Sequence, residues 1–379
     1  MKILRSIHSL DPAIGGPLES LKQSTLVLAR RGHEVEIVTL DGPDDPGVRD
    51  FPATVHALGP GRGSYGYAAR FVPWLKERRG NYDAVVVHGI WQYNSFGVWR
   101  ALRGSATPYF VFPHGMLDPW FNRTYPLKHL KKLLYWPWAE YRVLRDAAAV
   151  LFTSEEEKRL ARESFALYQA NEVVVNYGTA TPEVDWAAAE EEFLGKFSQL
   201  RGQRFFLFLG RLAEKKGCDF LIEAFAESLG KGASQLVLAG PAADESYLQR
   251  LRDLARDLPI TFTGMLSGKM KWGALRAADA FVLPSHQENF GIAIAEALAC
   301  GTPVLISNKV NIWREVVEDG CGLAEEDDLA GTTRLLQRWL ELSPESRAEM
   351  SRKARTSFAK RFEIGQAVDS FLRVLESAR

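Results

Sequence analysis

Short, nearly continuous runs of Val, Ile, Leu and Phe recur along this chain. Longer stretches separate them, in which apolar residues return every three or four positions. The short runs read as strands buried on both faces, and the longer stretches as helices laid over them. Strands are predicted at 2–8, 35–40, 84–88, 109–113, 148–153 and 173–176, with a shorter one at 54–58. In the second half they are predicted at 205–210, 235–240, 260–263, 280–284 and 303–307. Helices between successive strands make βαβ units and therefore parallel sheets. Two such series predict an α/β protein with two doubly wound domains.

The boundary falls around 180–203. There Pro182 follows a turn, 186–200 reads as an acidic helix with Glu190, Glu191 and Glu192, and Gly202 precedes a new strand. This gives a first domain at 1–180 and a second at 181–360. The segment 361–379 reads as a terminal helix with Phe362, Ile364, Ala367, Phe371, Val374 and Leu375 as its apolar positions. After the first strand come Gly15 and Gly16, and Pro17 opens a helix where its missing N–H costs nothing. In an open parallel sheet that loop lies at the ligand crevice. Two adjacent glycines there let backbone N–H groups approach an anion, or are plain turn residues.

Hydrophobic residues make up 46% of the 379 and charged residues 25%, which excludes wholesale disorder. Forty-seven Lys and Arg balance 47 Asp and Glu, which argues against a general nucleic-acid binder. Cys218, Cys300 and Cys321 lie far apart, too few for a disulfide framework or an ordinary zinc site, so a reducing compartment is expected. Arg5, His8 and Asp11 interrupt the N-terminal apolar run, and no signal peptide is expected. No 18-residue apolar run is present, so a soluble, cytoplasmic protein is expected.

Two stretches carry chemistry. In 284–303, PSHQENFGIAIAEALACGTP, a strand ends, a polar loop bears Glu288, and Gly291 opens a helix that bears Glu296. The helix N-terminus offers free N–H groups and a positive dipole end to a phosphate or a sugar hydroxyl. A carboxylate accepts two hydroxyls of one sugar ring, so this pair suits a hexose and a ribose. The plain alternative is a loop charge and a solvated helix glutamate. Glu296, however, stands among Ile292, Ile294, Ala295, Ala297, Leu298 and Ala299, where a carboxylate needs a specific partner. In 205–217, FFLFLGRLAEKKG, a buried strand ends at Gly210, and Arg211 and Lys216 follow beside Gly217. Cations at a strand end beside glycine suit a diphosphate, or are two exposed turn cations.

Together these stretches resemble the second domain of the retaining glycosyltransferases of family four, which have the GT-B architecture of two Rossmann-like domains facing a deep cleft. The resemblance rests on Glu288 and Glu296, on Asn289-Phe290-Gly291, on Gly301-Thr302-Pro303-Val304, and on Gly210-Arg211 with Lys216-Gly217. In the first half Gly15-Gly16, Arg31-Gly32-His33-Glu34-Val35 and Pro113-His114-Gly115 are similar to family motifs, and Asn176-Tyr177-Gly178 varies its Pro-Asn-Gly. The stretch 113–120 is similar to the bacterial surface-polysaccharide branch.

The resemblance implies a hexosyltransferase that moves sugar from GDP-mannose or a UDP-hexose to a saccharide or lipid-linked acceptor. Arg211 and Lys216 would neutralise the diphosphate. Backbone groups near Gly15, Gly16, Phe290, Gly291 and Ile292, with Asn289, would cradle phosphate and hexose. Glu288 would hold the hexose and Glu296 the ribose. His114 would face the donor sugar, His88 the acceptor side, and the base would rest near Gly264, Met265 and Leu266. No metal or other cofactor is implied, since the sequence contains no D-x-D and no HExxH. The terminal helix would return to the first domain, and the hinge would lie near 178–203. A sugar-nucleotide epimerase and a non-catalytic sugar-binding relic of the same architecture remain alternatives.

Gly61-Arg62-Gly63-Ser64-Tyr65-Gly66 spells GxGxxG, but it follows the third strand rather than the first, so dinucleotide binding is not expected. The segment 120–145 holds Arg123, Lys128, Lys131, Lys132, Arg142 and Arg145 against one acid, Glu140, with seven interleaved aromatics. It suits a peripheral contact with anionic lipid or a sugar platform. It equally suits a helix pair with core aromatics and solvated cations, broken at Pro126 and Pro137.

Overall fold

The apolar runs form thirteen strands in two sheets among the described residues of the computed structural model, which are 1–12, 15–181, 183–229 and 234–378. Pro182 lies outside them. The chain divides into two units, Met1–Gly178 with Ile364–Arg379, and Thr179–Glu363.

In the first unit β1 (Lys2–Ile7), β2 (Glu34–Thr39), β3 (Thr54–Ala57), β4 (Ala84–His88), β5 (Tyr109–Phe112), β6 (Ala149–Phe152) and β7 (Glu172–Val174) form a parallel sheet in the order β3-β2-β1-β4-β5-β6-β7. Ile3 pairs with Val35 on one side and Ala84 on the other. Successive residues point to opposite faces. Val85 and Val87 accordingly join one core with Leu4, Val111 and Phe152, while Ala84 and Val86 join a second with Ile3, Ile37 and Phe110. Both faces are covered, which is why these strands show no polar alternation.

The second unit repeats the design with β8 (Phe205–Leu209), β9 (Gln235–Ala239), β10 (Ile260–Gly264), β11 (Ala280–Leu283), β12 (Val304–Ser307) and β13 (Gly322–Glu325), in the order β10-β9-β8-β11-β12-β13. The sequence reading did not anticipate β13, whose short Gly-Leu-Ala-Glu run lacks a β-branched core.

The terminal-helix boundary differs from expectation, and two other segments take definite form. The segment 186–200 is a helix, Trp186–Lys196, capped by Asp185, followed by a 3-10 turn, Ser198–Leu200. It is not a linker. Gly273 of helix Gly268–Ala277 approaches it so closely that a Cβ there would lie 2.0 Å from the Ala189 carbonyl oxygen. The terminal helix begins at Ile364 rather than 361, because Phe358–Phe362 forms a π turn and Glu363 is extended. Helix Ile364–Ser377 then buries Val368, Phe371, Leu372 and Leu375 in the second core of the first unit. Its Ser370 Oγ accepts from Asn176 N at 3.2 Å, and its Asp369 pairs with Arg31 beside helix Gly16–Arg30. The GxGxxG segment is a small ribbon closed by an antiparallel bridge between Arg62 and Tyr67, and it follows β3 at the sheet edge.

Candidate functional site

The strand order reverses between β8 and β11, since β8 has β9 on one side and β11 on the other. Loops leaving the carboxyl ends of such a pair diverge and open a crevice. The loop after β8 carries Arg211 and the 3-10 turn Glu214–Lys216. The loop after β11 carries Glu288 and reaches helix Ile292–Cys300. Gly217, at φ 66, lets the two loops touch, because a Cβ there would meet the Pro284 carbonyl oxygen at 2.4 Å. Gly291, at φ 75, turns the chain into the helix in a left-handed conformation that L side chains rarely adopt.

Lys216 Nζ donates to Glu288 Oε2 across this crevice. Each side chain keeps about a fifth of its surface exposed, at 21% and 20%. Burial raises the Glu288 pKa. The nearby Lys216 ammonium, its hydrogen bond, Lys215 and the Asn289 N–H outweigh burial, so the carboxyl stays below its ordinary value. The Glu288 backbone is pinned to the loop after β12, with its N–H on the Lys309 carbonyl at 3.0 Å and its carbonyl accepting from Asn311 N at 3.0 Å. Asn289 Oδ1 accepts from Asn311 Nδ2 at 3.2 Å. Phe290 turns inward, its ring 5.8 Å from that of Phe362.

Glu296, the fifth residue of helix Ile292–Cys300, is 4% exposed. Its partner is Lys271, whose Nζ donates to Oε1 at 2.6 Å. The apolar surroundings that single out Glu296 in the sequence therefore conceal a lysine from helix Gly268–Ala277. Gly264 ends β10 at φ 68, with Met265 75% exposed and Leu266 partly so. The second unit thus gathers Arg211, Lys216, Gly264 and Glu288 on loops at the carboxyl ends of its strands, with Ile292 and Glu296 on the helix that follows.

The first unit has its own reversal, between β1 and β4. His88 ends β4, and His114 follows β5 at φ 50, with its ring stacked 5.4 Å from Phe112. Arg5 Nε donates to His88 Nε2 at 3.2 Å. His88 Nδ1 and His114 Nε2 lie 3.1 Å apart. A guanidinium only donates, so His88 Nε2 accepts and its proton sits on Nδ1. His88 then donates to His114 Nε2, which leaves the His114 proton on Nδ1. Burial, with the Arg5 charge adding to it, holds both imidazoles neutral, pushing His114 down to about 3 and His88 well below its usual value. Burial also lowers Arg5 to about 9. Arg5 is anchored on helix Gly16–Arg30 through Ser24 Oγ at 2.7 Å, and Gly15, at φ 80, caps that helix.

Sequence reasoning missed Lys271, Arg5 and Glu157. Glu157 Oε1 accepts from Gly115 N at 2.6 Å and Oε2 from Thr153 N at 2.7 Å, which fixes the turn that presents His114. Its signal was legible as Ser154-x-x-Glu157 directly after a strand, a capping box. Among the described residues no group of His, Cys, Asp and Glu suited to hold a metal ion is present.

Residues 190–357 match the family of glycosyl transferases group 1, and residues 15–178 match the glycosyl transferase 4-like domain. A GDP-mannose-dependent alpha-(1-6)-phosphatidylinositol dimannoside mannosyltransferase of Mycobacterium tuberculosis is 25% identical over 86% of this chain and 84% of its own length. A D-inositol 3-phosphate glycosyltransferase of Acidothermus cellulolyticus is 33% identical over 45% of this chain and 40% of its own. An alpha-D-kanosaminyltransferase of Streptomyces kanamyceticus is 30% identical over 48% of each. The chain thus spans about half the length, or less, of several curated relatives it matches. Two solved structures share the fold over the whole of both chains. They are sucrose-phosphate synthase of Thermosynechococcus elongatus, at TM-score 0.80 and 19% identity, and Anabaena HepE with UDP and glucose, at 0.77 and 18%.

Proposed function

The chain belongs to the glycosyl transferases of group 1, with a glycosyl transferase 4-like first half, and from that premise we propose that it moves a hexose from a nucleotide diphosphate sugar to a saccharide or lipid-linked saccharide acceptor. The observation that carries this reading is the Lys216–Glu288 pair at the strand reversal, beside the N-terminus of helix Ile292–Cys300 and on the same sheet edge as Arg211. Arg211 and Lys216 take the diphosphate. Glu288 takes the hexose hydroxyls, Glu296 those of the ribose, and the base rests at Gly264, Met265 and Leu266. Within the first unit, Gly15 and Gly16 are the groups to offer backbone N–H to a phosphate or sugar, and His114 the one to offer its Nδ1 proton to a sugar hydroxyl.

The transfer retains configuration. The bond from the sugar C1 to the diphosphate oxygen breaks, and the acceptor hydroxyl oxygen bonds C1 on the same face. The hydroxyl proton passes to the departing phosphate. Rate comes from Arg211 and Lys216 stabilising charge as it grows on the leaving group. These two cations fill the role a metal ion would otherwise take, so the reaction proceeds without one. The relative named for GDP-mannose and the neighbour solved with UDP make GDP-mannose and UDP-hexoses the donor candidates. Polysaccharide assembly at the cytoplasmic face of a membrane is the setting that fits such an acceptor.

A thermal-shift panel of nucleotides and nucleotide sugars, run with a chelator, tests the donor assignment. Ligand that binds only the folded state raises the melting temperature. One nucleoside diphosphate and its sugar should stand out, and a flat panel overturns the reading. Turnover of the selected donor without any acceptor would identify an epimerase instead.

A further inference from the structure

Helix Pro126–Tyr135 is inside out. It buries no residue fully, and its leucines face solvent, with Leu127 80% exposed, Leu134 72% and Leu130 57%. Spacings of three and four residues put these three on one face. Lys132 instead turns inward, its Nζ 4.5 Å from the Trp91 ring centre and 5.8 Å from that of Phe121. His129 likewise packs 5.2 Å from Phe165. Rolling the helix half a turn would have buried the leucines and freed the charges. The aromatics singled out in the sequence do not supply the exposed surface on their own, since Trp136 is 4% exposed and donates to the Ala166 carbonyl at 3.0 Å.

The surroundings of the leucine face are cationic. Between 119 and 139 the chain holds Arg123, Lys128, Lys131 and Lys132 and no Asp or Glu. Lys131 lies at the edge of the leucine stripe. Arg123, Lys128 and Lys131 form no ion pair among the described residues. A two-fold pairing of this face with itself would set those cations against their own kind. An anionic bilayer would satisfy both features, taking the leucines below the headgroups and the cations against them.

We propose that helix Pro126–Tyr135 docks the protein on anionic lipid through Leu127, Leu130 and Leu134, with Lys128 and Lys131 setting the preference for negative charge. This deepens the reading of a lipid-linked acceptor and rests on it for its purpose, but the docking itself is measured without donor or acceptor. One short helix gives reversible binding, so charge and leucines are both needed. No helix among the described residues is long and apolar enough to cross a membrane.

The test is co-flotation of the full chain with vesicles of phosphatidylcholine alone, or of phosphatidylcholine mixed with phosphatidylglycerol. Wild-type protein should bind the mixed vesicles at least about tenfold more tightly than the neutral ones, and high salt should erase the difference. Leu127→Gln with Leu134→Gln should lose about tenfold or more on mixed vesicles. These side chains are exposed, so the variant keeps its fold and its melting shift with the selected nucleotide. Lys128→Glu with Lys131→Glu should abolish the lipid preference. Equal binding to both vesicle types, or wild-type binding by the leucine variant, overturns the proposal. So does a wild-type dimer in sedimentation that the leucine variant dissociates, since that assigns the face to a second copy. A lost nucleotide shift with vesicle binding intact would instead defeat only the donor assignment.

Discussion

Lys216 and Glu288 meet across the strand reversal of the second sheet, joining the loop after β8 to the loop after β11 through one ion pair. The Lys216 ammonium beside it holds the Glu288 carboxyl below its ordinary range. On the reading proposed above, Lys216 serves phosphate and Glu288, kept ionised, accepts from sugar hydroxyls.

Lys216→Ala and Arg211→Ala should each leave the fold intact and remove most transfer activity. A charge-assisted contact to phosphate is worth about 1.5–3 kcal/mol, so losses of about tenfold to over a hundredfold are expected in kcat/KM. Near-normal turnover in both variants would sink the diphosphate assignment. Lys216→Ala should also melt lower than Lys216→Ala with Glu288→Gln, because the single variant leaves a carboxylate without its cation.

The two carboxylates should separate by ligand. Glu296→Gln should weaken a free nucleoside diphosphate and its sugar alike, by about tenfold, because the proposed ligand of its carboxylate is the ribose. Glu288→Gln should leave the free diphosphate nearly unchanged and weaken the sugar nucleotide. Lys271→Met should behave like Glu296→Gln on binding and also lower stability by about 3–5 kcal/mol, since it takes the lysine away from a carboxylate that is 4% exposed. Calorimetry with both ligands decides. Equal effects on both ligands in every variant would refute the assignment of sugars to residues.

Those expectations also mark what the sequence could convey. Glu288, Arg211 and Lys216 drew notice because each lies in a loop that follows a strand, Lys216 beside the left-handed Gly217, and Glu296 because it stands alone among apolar helix positions. Lys271 and Arg5 were not, because their partners lie 25 and 83 residues away and no local pattern encodes that meeting. The parallel strands were legible as continuous apolar runs. β13 escaped because Gly-Leu-Ala-Glu has no such run. The outward leucines of helix Pro126–Tyr135 could not be read either, since periodicity gives a stripe without saying which way it faces.

The Arg5–His88–His114 chain predicts a single tautomer. Nitrogen chemical shifts of wild-type protein should show His114 protonated at Nδ1 at neutral pH. His88→Phe should release it to mixed tautomers and alter the pH profile of transfer more than KM for the donor. A wild-type His114 protonated at Nε2 would contradict the chain of donors.

The same histidines predict acid sensitivity. Unfolded histidine takes up a proton near pH 6.5, while folded His114 resists until about 3. Below 6.5 the unfolded state therefore binds more protons, so stability is full above that pH and falls as pH drops toward the folded value. The slope contributed is about 1.4 kcal/mol per pH unit. His114→Asn tolerates the left-handed backbone and removes the titration. Denaturant titrations should show a shallower acid slope in that variant, and an unchanged slope would mean His114 is charged in the folded protein.

The terminal helix should prove a structural member of the first unit rather than an appendage. Val368, Phe371, Leu372 and Leu375 are each at most 9% exposed in its second core. Each such side chain is worth about 1.5–3 kcal/mol on burial, so the four together approach the whole stability of an ordinary domain. Removing residues 364–379 should therefore unfold Met1–Gly178, while Thr179–Glu363 keeps its own sheet and core. Phe371→Ala is the milder probe and should cost about 3–5 kcal/mol. Hydrogen exchange separates the outcomes. Protection should vanish in β1, β4 and β5 of the truncated protein and persist in β8, β9 and β11. If β1 and β4 stay protected after truncation, the helix is dispensable to the core it covers.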